Sequence, residues 1–376
     1  MRSVLIAAGL SVPVLMALGS EAAEPPASQP VHDESRWLRN VRQLTFPEMG
    51  LDRSGEAYFS PDGKRISFQA WPTGKQDYQI FVMNVDGTGL QMVSTGEGAT
   101  TCSFFHPSGE KLIFASNHLD QRPPEKPSEV EPMRPRPAGD SDPATSRPAY
   151  PPHGVGHPHS AGSPYAWTYY PGMDIFEYTF ATGKLRRIVA VDGYDAECAY
   201  SPDGKWIVFS SLRTGNQEIF ICDADGNHTR QITRAGGKNG GPFFSPDGKR
   251  ICYRSDRVGN DNLQIFINNT EGTDERAITG NDVFNWAPYW HPSGKWLIFT
   301  RADFRNRPNF DLYIVRDDGS ETHQVTSDAA FDGLPTFSPD GRFLLWTSRR
   351  GGIPAPQVFM AEFIGLTPAG ELRAVP

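Results

Sequence analysis

Three observations predict the fold class: six copies of one turn, a regular spacing between them, and short strand-like segments on either side of each. Together they predict an all-β chain, a six-bladed β-propeller of four-stranded antiparallel blades closed by a terminal strand. The turns read FSPDG (59–63), FHPSG (105–109), YSPDG (200–204), FSPDG (244–248), WHPSG (290–294) and FSPDG (337–341). Their prolines, Pro61, Pro107, Pro202, Pro246, Pro292 and Pro339, are separated by 46, 95, 44, 46 and 47 residues. The long interval carries an insertion of about 50 residues rather than a missing repeat.

Each unit has the same inner order. An apolar strand A runs into the turn, where Pro fixes φ, Asp caps nearby amides and Gly accepts a positive φ. An alternating strand B follows, such as KWIVFS (205–210). Strand C comes next, as YQIFVMN (78–84), NQEIFIC (216–222), LQIFINN (263–269) and FDLYIVR (310–316). A second turn, as in NVDGTG (84–89), leads to strand D: LQMVS, TRQIT, ERAIT and THQVT. The last unit lacks its own D strand. The segment NVRQLTF (40–46) matches the D pattern and is expected to complete that blade; the tail GELRAVP (370–376) competes for the role.

Composition agrees with this order. The chain of 376 residues holds 33 Pro, 37 Gly and 23 Phe, a mix suited to many short strands and tight turns. A net charge of -8 argues against nucleic acid as a partner. Residues 1–22 carry Arg2, an apolar run and small residues, the layout of a secretory signal peptide cleaved after Ala22 or after Gly19. The expected plan is then a linker at 23–37, the propeller at 38–364 with an insertion in blade 2 at 117–167, and a tail or closing strand at 365–376. Periplasmic or secreted protein without stable membrane insertion is the implied state. Cys102, Cys198, Cys222 and Cys252 lie in apolar segments without C-x-x-C spacing and read as small buried thiols.

The repeated SPDG/HPSG turns with their I-F and Q-I-T strands resemble the WD40-like (PD40-type) repeats of TolB-type six-bladed propellers, over about residues 38–364. TolB proper carries an α/β domain ahead of its propeller, for which 23–37 leaves no room. Similar propellers precede the hydrolase domain of prolyl-oligopeptidase-like enzymes, but no G-x-S-x-G elbow is present.

Blade geometry sorts the remaining residues. D–A and B–C loops share one face; A–B and C–D turns share the other. Asp62, Asp203, Asp247 and Asp340 fall in A–B turns and read as turn caps, while His106 and His291 stand too far apart for one metal site. Seven residues before each turn proline stand Ser54, Thr100, Asp195, Asn239, Asn285 and Asp332, and five before stand Glu56, Cys102, Glu197, Gly241, Ala287 and Leu334. Simple strand alternation stacks both columns towards the axial channel, as a polar lining or a binding funnel. Arg213, Arg257, Arg301, Arg305, Arg349 and Arg350 follow strand B and either grip a ligand's carboxylates or form ion pairs on the surface. Trp71, Trp286 and Phe304 are aromatic anchors or core residues on the same rim.

The insertion rises on this face. Its first half is rich in Pro and charge, its second, YPPHGVGHPHSAGSPYAWTYYPGMD (150–174), in Gly, His and aromatics, and it is read as a flap beside or over the channel mouth. The favoured function is a scaffold binding a protein or peptide, with Asp195, Glu197, Asn239, Asn285, Asp332, Arg213, Arg257 and Trp167 as binding residues and no cofactor. The alternative is a metal-dependent lyase or hydrolase acting on a polysaccharide or peptide. His153, His157 and His159 would then hold a divalent metal at the channel mouth, with Asp195 or Glu197 completing the set.

Overall fold

A computed structural model describes residues 33–120, 169–258, 262–304 and 309–373. Six four-stranded antiparallel sheets form the ring. Blade 1 comprises Leu51–Phe59, Arg65–Pro72, Gln79–Asn84 and Gln91–Met92; blade 2 comprises Thr100–Phe105, Lys111–Ser116, Asp174–Thr179 and Lys184–Val189. Blades 3 and 4 begin with Asp195–Tyr200 and Asn239–Phe244, and blade 5 with Phe284–Trp290. Blade 6 takes Asp332–Phe337, Phe343–Ser348 and Gln357–Phe363 from the C-terminal part of the ring, and Leu38–Gln43 as its outermost strand.

That last pairing resolves the competition for the closing strand. Leu38 lies opposite Phe363 and Gln43 opposite Phe359, so the N-terminal candidate joins the ring's two ends. Trp37, fully buried, packs beside Phe363 at the end of this seam, and a Cβ on Gly365 would collide with its ring. The tail instead lies under blade 5, where the Gly370 carbonyl accepts from Trp296 Nε1 at 2.8 Å.

The core sits between blades. Each of the six interblade clefts holds one apolar cluster, such as Ile113, Ile175, Ile207 and Phe209 between blades 2 and 3. Both faces of each sheet are covered by a neighbouring sheet, so strands such as Trp206–Ser211 and Glu218–Asp223 are buried on both faces rather than on alternate residues as an alternating strand B would be. The A–B turns are capped as their sequence predicts, with Asp62, Asp203, Asp247 and Asp340 each accepting an amide two residues on. In the HPSG turns the His106 and His291 rings lie edge-on to Tyr200 and Phe337 of the following blade. All four cysteines are free and buried.

Simple alternation fails in every strand A. Glu56, Cys102, Glu197, Gly241, Ala287 and Leu334 all have φ between 49° and 60°. In each blade the A–B register shifts across this residue, so a β-bulge recurs at one position around the ring. A non-Gly residue in this region costs about 1–2 kcal/mol. The bulge bends the strand and re-aims its side chains, and at Glu56, Gly241 and Leu334 its amide finds a side-chain partner across the blade boundary. Glu56 N donates to Thr347 Oγ1 at 2.9 Å and Leu334 N to Thr300 Oγ1 at 3.0 Å.

Candidate functional site

The bulge separates the two columns that alternation would have stacked. The residues five before each turn proline line an axial cavity of about 660 Å³ at the D–A/B–C face. Most of those seven before it turn back into their own blades. Arg213 Nη2 donates to Asp195 Oδ1 at 2.8 Å, Arg257 Nη2 to Asn239 Oδ1 at 2.6 Å, and Arg301 Nε to Asn285 Oδ1 at 2.9 Å. Arg350 meets Asp332 at 2.5 Å and also Glu34 at 2.7 Å. Each of these arginines stacks over an aromatic side chain of its blade, Phe220, Phe266, Tyr313 or Trp346. They brace the corner between strands B and C rather than forming an open basic ring. Asp195, Asn239, Asn285 and Asp332 are almost completely buried by the arrangement.

Of the sequence-derived binding residues, Glu197 lines the cavity itself. Its carboxylate is fully engaged: Arg254 Nη2 donates at 2.5 Å, Ser210 Oγ at 2.7 Å, Gln217 Nε2 at 3.2 Å and the Gly241 amide at 2.9 Å. Gly240 must lack a side chain here, because a Cβ would stand 2.5 Å from Glu197 Oε2. Glu56, across the same cavity, accepts from the Tyr58 hydroxyl at 3.1 Å. Burial, with the Glu197 charge adding to it, pushes the Glu56 carboxyl up to about 7. The cavity therefore holds one carboxylate tied to a guanidinium and one that binds a proton near neutrality.

The floor is aromatic. Three residues before their turn prolines stand Tyr58, Phe104, Phe243 and Tyr289, and their rings touch across the axis. Tyr58 and Phe243 come from blades 1 and 4, on opposite sides of a six-bladed ring, yet their centroids lie 5.7 Å apart. The channel is thus closed below the mouth. Counting back three residues from each proline would have found these aromatics in the sequence. Arg53, Tyr78 and Arg254 also line the cavity and carry no repeat signal that marks them.

Trp286 lines the cavity, whereas Phe304 packs against Phe284 and Phe310. Trp71 lies half-buried against Arg53, 4.6 Å from its guanidinium carbon. Trp167, His153, His157, His159 and Arg305 lie outside the described residues. Among the described residues no group of three or more His, Cys, Asp or Glu is placed to hold a metal, and no helix is long and apolar enough to cross a membrane. The insertion lies between Lys111–Ser116 and Asp174–Thr179, and the described residues on its return side include Tyr169 and Tyr170. Tyr170 lines the cavity, so the return of the insertion reaches the mouth.

Residues 165–307 match the family model of the TolB beta propeller domain. The uncharacterized protein Atu1656 of Agrobacterium fabrum is 36% identical over 61 residues, 16% of this chain and about a fifth (21%) of that relative's length. Among solved structures, a protein assigned as TolB from Agrobacterium tumefaciens superposes with a TM-score of 0.54 at 17% identity, over 83% of this chain and 90% of its own. TolB from Acinetobacter baumannii gives 0.52 at 17% identity, over 85% and 65% of the two chains. The oligogalacturonate lyase of Vibrio parahaemolyticus gives 0.52 at 13% identity, over 86% and 93%. The chain is a six-bladed β-propeller, closed by its first strand, whose repeats resemble those of the TolB propeller domain.

Proposed function

We propose that the protein is an exported scaffold that binds a peptide segment or protein partner in the axial cavity. A lyase and TolB share this build, so the fold leaves the function to the site. The observation that carries the reading is a cavity of about 660 Å³ with an aromatic floor and largely apolar walls, among them Tyr78, Tyr170, Tyr194, Trp286, Phe331 and Leu334. That volume lies within the range of small-ligand sites, roughly 300–1,000 Å³, and suits a few side chains of a partner better than a large folded surface. Aromatic walls favour such insertion because they bury large areas at little cost in rotamer entropy. The N-terminal signal pattern supports export.

Affinity capture from a native envelope extract tests this. The parent protein is expected to retain a protein partner that a Tyr170→Ala/Phe331→Ala variant, still folded by circular dichroism, loses. Identical partners and yields from both proteins would remove the axial cavity from the binding role.

A further inference from the structure

Cationic side chains on the mouth face generally have a partner built in: Arg213 with Asp195, Arg254 with Glu197, Arg257 with Asn239, Arg301 with Asn285 and Arg350 with Asp332. Two do not. Arg53, on the first strand of blade 1, lies over Trp71 and Tyr78 with its guanidinium carbon 4.6 and 5.5 Å from their centroids. Its Nε is buried and has no hydrogen-bond partner. Arg349, just after strand B of blade 6, is exposed and donates to the Pro354 carbonyl at 2.9 Å. Neither residue has an ion pair among the described residues, although a carboxylate is the usual partner of a guanidinium in a concave site.

Their position adds to this. Both line the axial cavity, and both line a second cavity of about 530 Å³ between blades 1 and 6. They stand where the two spaces meet. The second wall also carries Lys75 and Asp52, and the Asp52 carboxylate already accepts from the Gly74 amide at 3.0 Å. In the first, Glu197 is neutralised by Arg254, and burial pushes the Glu56 carboxyl up to about 7. The junction is left with an excess of positive charge set in apolar surroundings that include Trp71, Pro354 and Pro356.

We propose that Arg53 and Arg349 form a carboxylate subsite, taking an acidic peptide laid from the axial mouth outwards between blades 1 and 6. This rests on the peptide-binding reading above and deepens it. A guanidinium pair matches a carboxylate through several charge-assisted hydrogen bonds, and the stacking on Trp71 and Tyr78 fixes the plane of one fork. A saccharide fits less well, because its hydroxyls need many polar partners. The polar side chains of the first cavity are mostly engaged with the protein itself: Ser54 with Gln357, Thr100 with the Tyr78 carbonyl, Thr101 with Gln69 and Thr347 with the Glu56 amide.

Fluorescence anisotropy on the intact protein tests the subsite with three labelled peptides. One alternates Phe and Glu and is amidated at its C-terminus, the second replaces Glu by Gln, and the third is the Gln peptide with a free C-terminal carboxylate. At least one acidic form is expected to bind about tenfold or more tightly than the neutral one, and which one identifies the carboxylate's source. The advantage should vanish in Arg53→Gln/Arg349→Gln, whose affinities for the acidic and the neutral peptide become equal. Arg349→Gln alone, at an exposed position, keeps the test open should the double variant unfold. Equal affinity for all three peptides overturns the subsite and leaves peptide binding standing. Trigalacturonate binding that depends on the two arginines, with no peptide bound, overturns both.

Discussion

The Arg254 guanidinium of blade 4 meets the Glu197 carboxylate of blade 3 at 2.5 Å, and both side chains are buried beside the axial cavity. Removing one partner of such a pair leaves an uncompensated buried charge, at a cost of about 3–5 kcal/mol. Arg254→Met should therefore lower the unfolding free energy in urea by that order, and Glu197→Gln/Arg254→Met should recover part of the loss. A double variant less stable than Arg254→Met by the full cost of Glu197→Gln would show that the two do not interact.

Glu56 predicts a pH dependence. Its carboxyl is pushed up to about 7 from an ordinary 4.5, mainly by burial. The folded chain then binds a proton that the unfolded chain has released, so stability is highest below this window and falls as pH rises through it. A shift of this size corresponds to on the order of 3 kcal/mol. Asp311, also pushed up to about 7 by burial and then by Asp332, contributes with the same sign. Melting between pH 5 and pH 8 should show a shallower decline in Glu56→Gln than in the parent. An unchanged slope would show that Glu56 is ionised throughout.

The arginines after strand B predict a contrast between neighbours in sequence. Asp332 is fully buried and accepts from Trp346, Ser348 and Arg350, of which Arg350 keeps Glu34, so Asp332→Ala is expected to cost about 1–3 kcal/mol. Arg349 next to it is exposed, and Arg349→Gln should change stability by no more than about 0.5 kcal/mol. Calorimetry of the two variants checks both halves; equal losses would contradict the division between bracing and free arginines.

The cysteines give a chemical readout. Burial raises all four thiols, Cys222 to about 12, and the thiolate is the reactive form. Dithionitrobenzoate should leave the native protein essentially unlabelled and label four thiols in guanidinium. Rapid labelling of the native protein would place a cysteine at the surface.

The ring was legible in the sequence because each blade repeats one local grammar of turn and strands, and that grammar is read without tertiary contacts. The mouth was less so. A residue at Glu197 and one at Asp195 look alike on an alternating strand, and only the bulge, a backbone feature with no residue signature across Glu, Cys, Gly, Ala and Leu, sends one to the cavity and the other to Arg213. The aromatic floor was present as a column, Tyr58, Phe104, Phe243 and Tyr289, but its meaning needed the axis that brings opposite blades together. Arg53 stands over Trp71 and Tyr78 with its buried Nε unpartnered, and that is visible only once neighbours are placed.

Site-specific photocrosslinking in the native envelope tests the central claim most directly. A benzoylphenylalanine at Tyr170, on the axial cavity, is compared with one at Trp206, exposed on the opposite face beside an A–B turn. Binding at the mouth predicts a discrete crosslinked partner from position 170, diminished by competing peptide, and none from position 206. A partner crosslinked from position 206 and absent from 170 would contradict it.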